Sequence, residues 1–188
     1  MFDKINKLNF GTKDVLDNFY FLYGEVNYDE AKGVAEWIMA NNLASSENKP
    51  DCLNLMINSH GGSLTSAFSI IDMMNGSTIP CRVIASGLVA SAGLLILMSG
   101  QKGLRIVSEN ASILSHTFST YSEGTFHSMI ADRVEQDNTQ KRLIKHIKRC
   151  TGLGEGEINS KLMPATDVWL TAHEAVKMGL ADTVSTLK

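Results

Sequence analysis

Hydrophobic positions along this chain alternate between short unbroken apolar runs and stripes spaced by three and four residues. Residues 19–23 (FYFLY) are dense in aromatics and closed by Gly24, which predicts a buried strand. Over residues 29–41 the spacing of Ala31, Val34, Ala35, Ile38 and Met39 predicts a helix with one apolar face. Residues 45–50 (SSENKP) read as a loop, and residues 52–57 (CLNLMI) as a second strand ending in Asn58-Ser59-His60-Gly61-Gly62. Helix resumes behind Ser63, a suitable N-cap, with Leu64, Ala67, Phe68, Ile71 and Met74 in register. Residues 75–80 (NGSTIP) break it, residues 81–85 form a third strand, and a very apolar helix covers 91–98. Two short strands follow at 104–107 and 113–115. A long helix over 126–149 is expected to turn Phe126, Ile130, Val134, Leu143 and Ile147 inward. A short helix near 157–162, a last helix over 171–178 capped by Gly179, and a strand at 182–185 complete the pattern. Strands alternating with helices, without a long linker or a clean repeat, predict one α/β domain with parallel pairing.

Composition narrows the class of protein. The 44% hydrophobic and 20% charged shares are those of a soluble globular chain. A net charge of −3 provides no field to recruit nucleic acid or an anionic membrane. The basic residues Lys141, Arg142, Lys145, Lys148 and Arg149 read as one solvated helix face. Residues 83–101 carry no charge, close to the length of a membrane span. Ser86, Gly87, Ser91, Gly93, Ser99 and Gly100 interrupt them, so a strand followed by a buried helix fits better. The first residues, MFDKINKLNF, lack an apolar signal core, and a cytoplasmic location is expected. Cys52, Cys81 and Cys150 are odd in number and form no CxxC pair, which points to buried reduced thiols and away from thiolate-bound zinc.

Two turns place small residues between a strand and a helix N-terminus. In the first, Gly61-Gly62-Ser63, paired glycines let backbone N–H groups face outward at a helix start. In the second, Ser91 follows Gly87-Leu88-Val89-Ala90 and opens an apolar helix. It resembles the GxSxG elbow, but Val89 stands where the first glycine belongs. Taken singly, each has a plain structural reading: a tight turn for the glycines, an N-cap for Ser91. His116 is equally a strand-end histidine, and Asp167 a loop or capping acid before the last helix. His173-Glu174 is followed by Lys177, so the HExxH zinc pattern fails. His127 and His146 lie in the long helix and are read as solvated.

Jointly, these pieces resemble the proteolytic subunit of the Clp protease. The matching stretches are INSHGGSLTSAFSIIDMM (57–74), GLVASAG (87–93), SILSH (112–116) and DVWLTAHEAVKMGLADTV (167–184). The resemblance implies a serine endopeptidase acting on peptides and unfolded proteins, with Ser91 as nucleophile, His116 as base and Asp167 orienting that base. It also implies an oxyanion hole from the backbone N–H groups of Gly62 and Ala92, and no cofactor or metal. The implied fold is a Clp protease/crotonase-like spiral of ββα units with a protruding handle at about 117–149. The implied assembly is a homo-oligomer of heptameric rings, stacked to a tetradecamer around a chamber and fed by an AAA+ unfoldase.

Departures from the family pattern are His60 for the usual proline, Thr117 after the histidine, and Thr166 where an arginine usually couples rings. The N-terminal segment, residues 1–18, also diverges, as expected of a small member such as a virus-encoded one. Rival readings are a weak or inactive ring subunit that modulates a host protease, and a crotonase-type acyl-CoA enzyme.

Overall fold

The computed structural model describes residues 18–186, so the divergent N-terminal segment lies outside the described residues apart from Asn18. These residues form seven strands and six helices. In chain order they are β1 (Phe19–Val26), α1 (Tyr28–Asn42), β2 (Leu53–Gly62), α2 (Leu64–Gly76), β3 (Cys81–Ala90) and α3 (Ala92–Met98). There follow β4 (Arg105–Ser108), β5 (Ser112–Ser115), α4 (Phe126–Thr151), α5 (Glu155–Lys161), β6 (Val168–Leu170), α6 (Ala172–Lys177) and β7 (Thr183–Ser185). The strands join one sheet in the order β1-β2-β3-β4-β7, with β5 beside β3 and β6 beside β5. Every pairing is parallel except β5 with β6. The α/β class with parallel pairing is the architecture found.

Local chemistry starts and stops these elements where the pattern indicates. Asn27 Oδ1 accepts the Glu30 amide at 2.9 Å and opens α1, which buries Ala31, Val34 and Ile38. Ser63 Oγ accepts the Ser66 amide at 3.2 Å and opens α2, which buries Ala67, Ile70, Ile71 and Met74. Gly152, left-handed at φ 80°, closes α4. The inner helix faces meet Leu55, Ile57, Val83 and Val107 of the sheet in one apolar cluster. Each fully buried aliphatic side chain there contributes about 1.5–3 kcal/mol.

The strand at 19–23 is not buried as expected: in β1 only Leu22 and Val26 are buried, and Phe21 and Tyr23 are exposed. Four further expectations change. First, β3 does not stop at Ala85 but continues to Ala90. At Gly87 (φ 65°) the strand shifts register against β2. Residues 83–85 pair with β4, whereas residues 88–90 pair with β5. The strand changes neighbour midway, which local periodicity cannot reveal. Second, the inward stripe predicted for α4 is buried only at Leu143 and Ile147. Phe126, Ile130 and Val134 are 70%, 50% and 57% exposed: among the described residues, the loop after β5 reaches this half of the helix through Ser122 to Asp132 and Thr120 to Gln136, away from that stripe. Third, His146 is buried, not solvated: it lies on the Leu143–Ile147 stripe and packs against α3. Fourth, only Cys81 is fully buried; Cys52 and Cys150 are half-buried, and all three are free thiols. The basic residues of α4, by contrast, are exposed as expected, and among the described residues no helix is long and apolar enough to cross a membrane.

Candidate active site

The change of partner along β3 builds the site. Because β3 and β5 run parallel and pair as far as Ala90 with Leu114, they end side by side. Ser91 is the next residue on one strand, and His116 follows two residues after Leu114 on the other. The Ser91 amide donates to the Leu114 carbonyl at 3.0 Å, which anchors the serine to β5. Ser91 is the only non-glycine among the described residues with positive φ, at φ 54° and ψ −121°. Its side chain makes no capping bond to α3, although the residue occupies the N-cap position. That combination is a strained strand-to-helix turn with a free hydroxyl, despite the missing first glycine of GxSxG.

The glycine turn after β2 lies directly against it. Gly61, at φ 99°, packs on the Ser91 Cβ, the Ala90 carbonyl and the Ala92 amide. Ser59 holds this turn in place: its hydroxyl donates to the Gly24 carbonyl at 2.6 Å and accepts the Gly61 amide at 3.0 Å. Asn58 Oδ1 accepts the Leu88 amide at 3.1 Å and ties the turn to the β3 kink. Sequence reasoning had passed over Asn58 and Ser59 as individual residues. Their place just before a Gly-Gly pair was the available signal. Gly62 is exposed, whereas Ala92 is buried at the first position of α3, where its N–H has no intrahelical acceptor.

Ser91 and His116 border a common cavity of about 540 Å³ together with Gly62 and Leu64. Its outer wall comes from Phe118 and Tyr121 of the loop after β5 and from Asp132 and Glu135 of α4. No sequence signal marked these wall residues. His60 does not border the cavity, and neither does Asp167. Asp167 is exposed just before β6. The antiparallel register ends with Ser115 paired to Val168, so His116 and Asp167 each lie one residue beyond the last paired position of β5 and β6. Among the described residues, no side-chain hydrogen bond joins Ser91, His116 and Asp167.

Away from the cavity, two buried polar clusters brace the elements behind it. Arg105, 1% exposed, donates from Nε and Nη2 to the two Asp182 carboxylate oxygens at 2.9 and 2.6 Å. Its Nη1 donates to the Cys150 and Gly179 carbonyls, so the ends of α4 and α6 are tied to β4. Burial alone would raise the Asp182 carboxyl, but the Arg105 hydrogen bonds and charge hold it well below the usual carboxylate range. His146 Nε2 lies 3.0 Å from the Leu95 carbonyl, and Arg149 reaches its Nδ1 at 3.3 Å. Arg149 can only donate, so Nε2 carries the proton. Burial, followed by the Arg149 charge, pushes the His146 imidazole down to about 4, against the opposing hydrogen bond to Leu95.

Fold and site together define a parallel-sheet α/β protein that presents a strained serine beside a strand-end histidine. A sequence model of the Clp protease family matches residues 12–188. The ATP-dependent Clp protease proteolytic subunit 1 of Leifsonia xyli is 31% identical, over 88% of this chain and 82% of its own. The ATP-dependent Clp protease proteolytic subunit 2 of Corynebacterium glutamicum is also 31% identical, over 91% of this chain and 83% of its own. The chain belongs to the Clp protease family.

Proposed function

We propose that this chain is a serine endopeptidase of peptides and unfolded proteins, with Ser91 as nucleophile, His116 as general base and Asp167 as the residue that orients it. The observation that carries this reading is the strained Ser91, with its hydroxyl free, sharing a cavity with His116. In the proposed reaction neutral His116 takes the Ser91 proton as Oγ attacks the peptide carbonyl, then returns it to the leaving amine. Asp167 selects the imidazole tautomer and stabilises its cation. The N–H groups of Gly62 and Ala92 hold the oxyanion, and loss of one such donor costs about 3 kcal/mol. This chemistry draws on no cofactor.

We read the chain as one cytoplasmic domain whose residues 117–149 form a handle between heptameric rings, the chamber being fed by an AAA+ unfoldase. The exposed apolar stripe of Phe126, Ile130 and Val134 supports a ring contact on α4. A second reading, a weak or inactive ring subunit, is favoured by the absence of hydrogen bonds within the triad. Catalytic hydrogen bonds are often long before substrate binds, so this observation weighs less than the shared cavity.

A fluorophosphonate separates the two. Wild-type protein is expected to take the label on Ser91, and Ser91→Ala to take none. Fluorogenic peptide turnover is expected to fall at least ~10³-fold in Ser91→Ala and His116→Ala, while His60→Pro keeps it. Wild-type protein that stays unlabelled would favour the inactive subunit.

A further inference from the structure

Beside the open cavity lies a second, much smaller recess of about 30 Å³. Leu94 and Met98 of α3, Leu143 and Ile147 of α4, and Leu180 give it an apolar lining. Four residues border both spaces: Leu64, Ser91, His116 and Phe118. The recess therefore opens beside the proposed nucleophile, where a substrate side chain next to the scissile carbonyl would enter. That volume is room for one water-sized group, which takes roughly 10–15 Å³ of such space, whereas a benzene-sized group needs on the order of 150 Å³. A methyl group fits; a leucine or phenylalanine side chain does not.

Of the four shared residues, Leu64 is held in α2, and Ser91 and His116 belong to the proposed catalytic set. Phe118 is different. It lies on the segment after β5 that has no helix or strand, is half-buried, and packs against the apolar cluster. We propose that Phe118 is a specificity-determining residue that narrows the recess, so that small side chains are preferred on the acyl side of the cleaved bond. Removing its ring merges the recess with the open cavity and admits larger apolar side chains. The inference rests on the serine-peptidase reading above. Phe118 belongs to no periodic stripe, so its place beside the recess is set by tertiary packing alone.

The test uses peptidyl diphenyl phosphonates carrying an alanine-like or a leucine-like side chain at the reactive position, with labelling followed by intact mass. A plain fluorophosphonate serves as control for a working Ser91. One extra methylene in an apolar pocket discriminates by roughly 10–200-fold. Wild-type protein is therefore expected to label at least ~10-fold faster with the alanine probe. Phe118→Ala is expected to reverse that order, and Phe118→Leu, which keeps more of the packing, to fall between them. Equal rates for both probes in wild type, or a ratio unchanged in both variants while the fluorophosphonate still labels Ser91, would overturn the role of Phe118 alone. If the fluorophosphonate leaves all three proteins unlabelled, the peptidase reading falls and this inference falls with it.

Discussion

Gly61 lies so close to Ser91 that a Cβ on the glycine would stand 2.7 Å from the serine Cβ. The turn proposed to hold the oxyanion thus touches the proposed nucleophile through a position that tolerates no side chain. Gly61→Ala must both strain a backbone at φ 99° and displace Ser91. Such strain costs about 1–3 kcal/mol, and misplacing a reactive group by about 1 Å costs on the order of 100-fold in rate. Fluorophosphonate labelling of Gly61→Ala is expected to slow at least ~10-fold, with a lowered melting temperature. Labelling at the wild-type rate would show that the contact is not needed for reactivity.

Strain at Ser91 itself makes a separate prediction. Its φ of 54° suits glycine and not an L side chain. Ser91→Gly relieves about 1–3 kcal/mol of strain and loses roughly 0.5–1 kcal/mol to added chain entropy. It is expected to raise stability by about 1 kcal/mol while abolishing turnover, whereas Ser91→Ala abolishes turnover without that gain. Urea midpoints of the three proteins measure the difference, and a glycine variant less stable than the alanine one would contradict it.

The pairing of Arg105 with Asp182 predicts acid sensitivity. The folded-state pKa of Asp182 is depressed, so its contribution is present above the unfolded value of about 3.9 and is lost as pH falls below it. Asp182→Asn leaves Arg105 buried without its counter-charge and is expected to cost about 3–5 kcal/mol at neutral pH. The gap between wild type and variant should narrow at pH 3. Denaturant titrations at pH 7 and pH 3 check both points, and a gap of equal size at the two would argue against the linkage.

Burial of His146 acts in a higher pH window. Its folded pKa of about 4 lies below the ordinary 6.5, so the unfolded chain binds the proton first and stability drops as pH falls from 6.5 toward 4. That interval corresponds to a loss of about 3 kcal/mol. His146→Leu should flatten this part of the pH profile while keeping the Leu143–Ile147 stripe apolar. A variant profile as steep as wild type would mean that other groups carry the slope.

Thr166 bears on assembly. It is exposed and lacks the guanidinium that makes charge-assisted, bidentate bonds, each worth about 1.5–3 kcal/mol. Under the proposed ring contact on α4 and the loop before it, oligomers are expected to dissociate on dilution, and peptidase activity to rise more steeply than linearly with concentration. Sedimentation across a dilution series, run beside the peptide assay, tests both. One unchanging large species with constant specific activity would remove any penalty for Thr166.

Ser91 and His116 were legible as candidates because each closes a recognisable apolar strand-like run. Their meeting was not legible. It depends on β3 exchanging β4 for β5 at Gly87, a pairing between segments more than twenty residues apart. Asp167 comes next to the end of β5 only because β6, three residues long and too short for any periodic signal, pairs antiparallel with β5. His146 was misread as solvated because a polar side chain breaks an apolar stripe on paper, while in three dimensions a neighbouring carbonyl satisfies it.

Elements, their order and the α/β class follow from local rules: strand runs, helical spacing, caps and glycine stops act over a few residues and are written in the chain itself. Register, burial and cavity shape do not. They arise when non-local partners compete for the same backbone donors and apolar faces, as when the Leu114 carbonyl accepts the Ser91 amide and the Leu95 carbonyl accepts the His146 Nε2–H. The chemistry available to Ser91 was therefore readable in residue types, but its strain, its neighbours and the small recess beside it exist only once those distant segments pack.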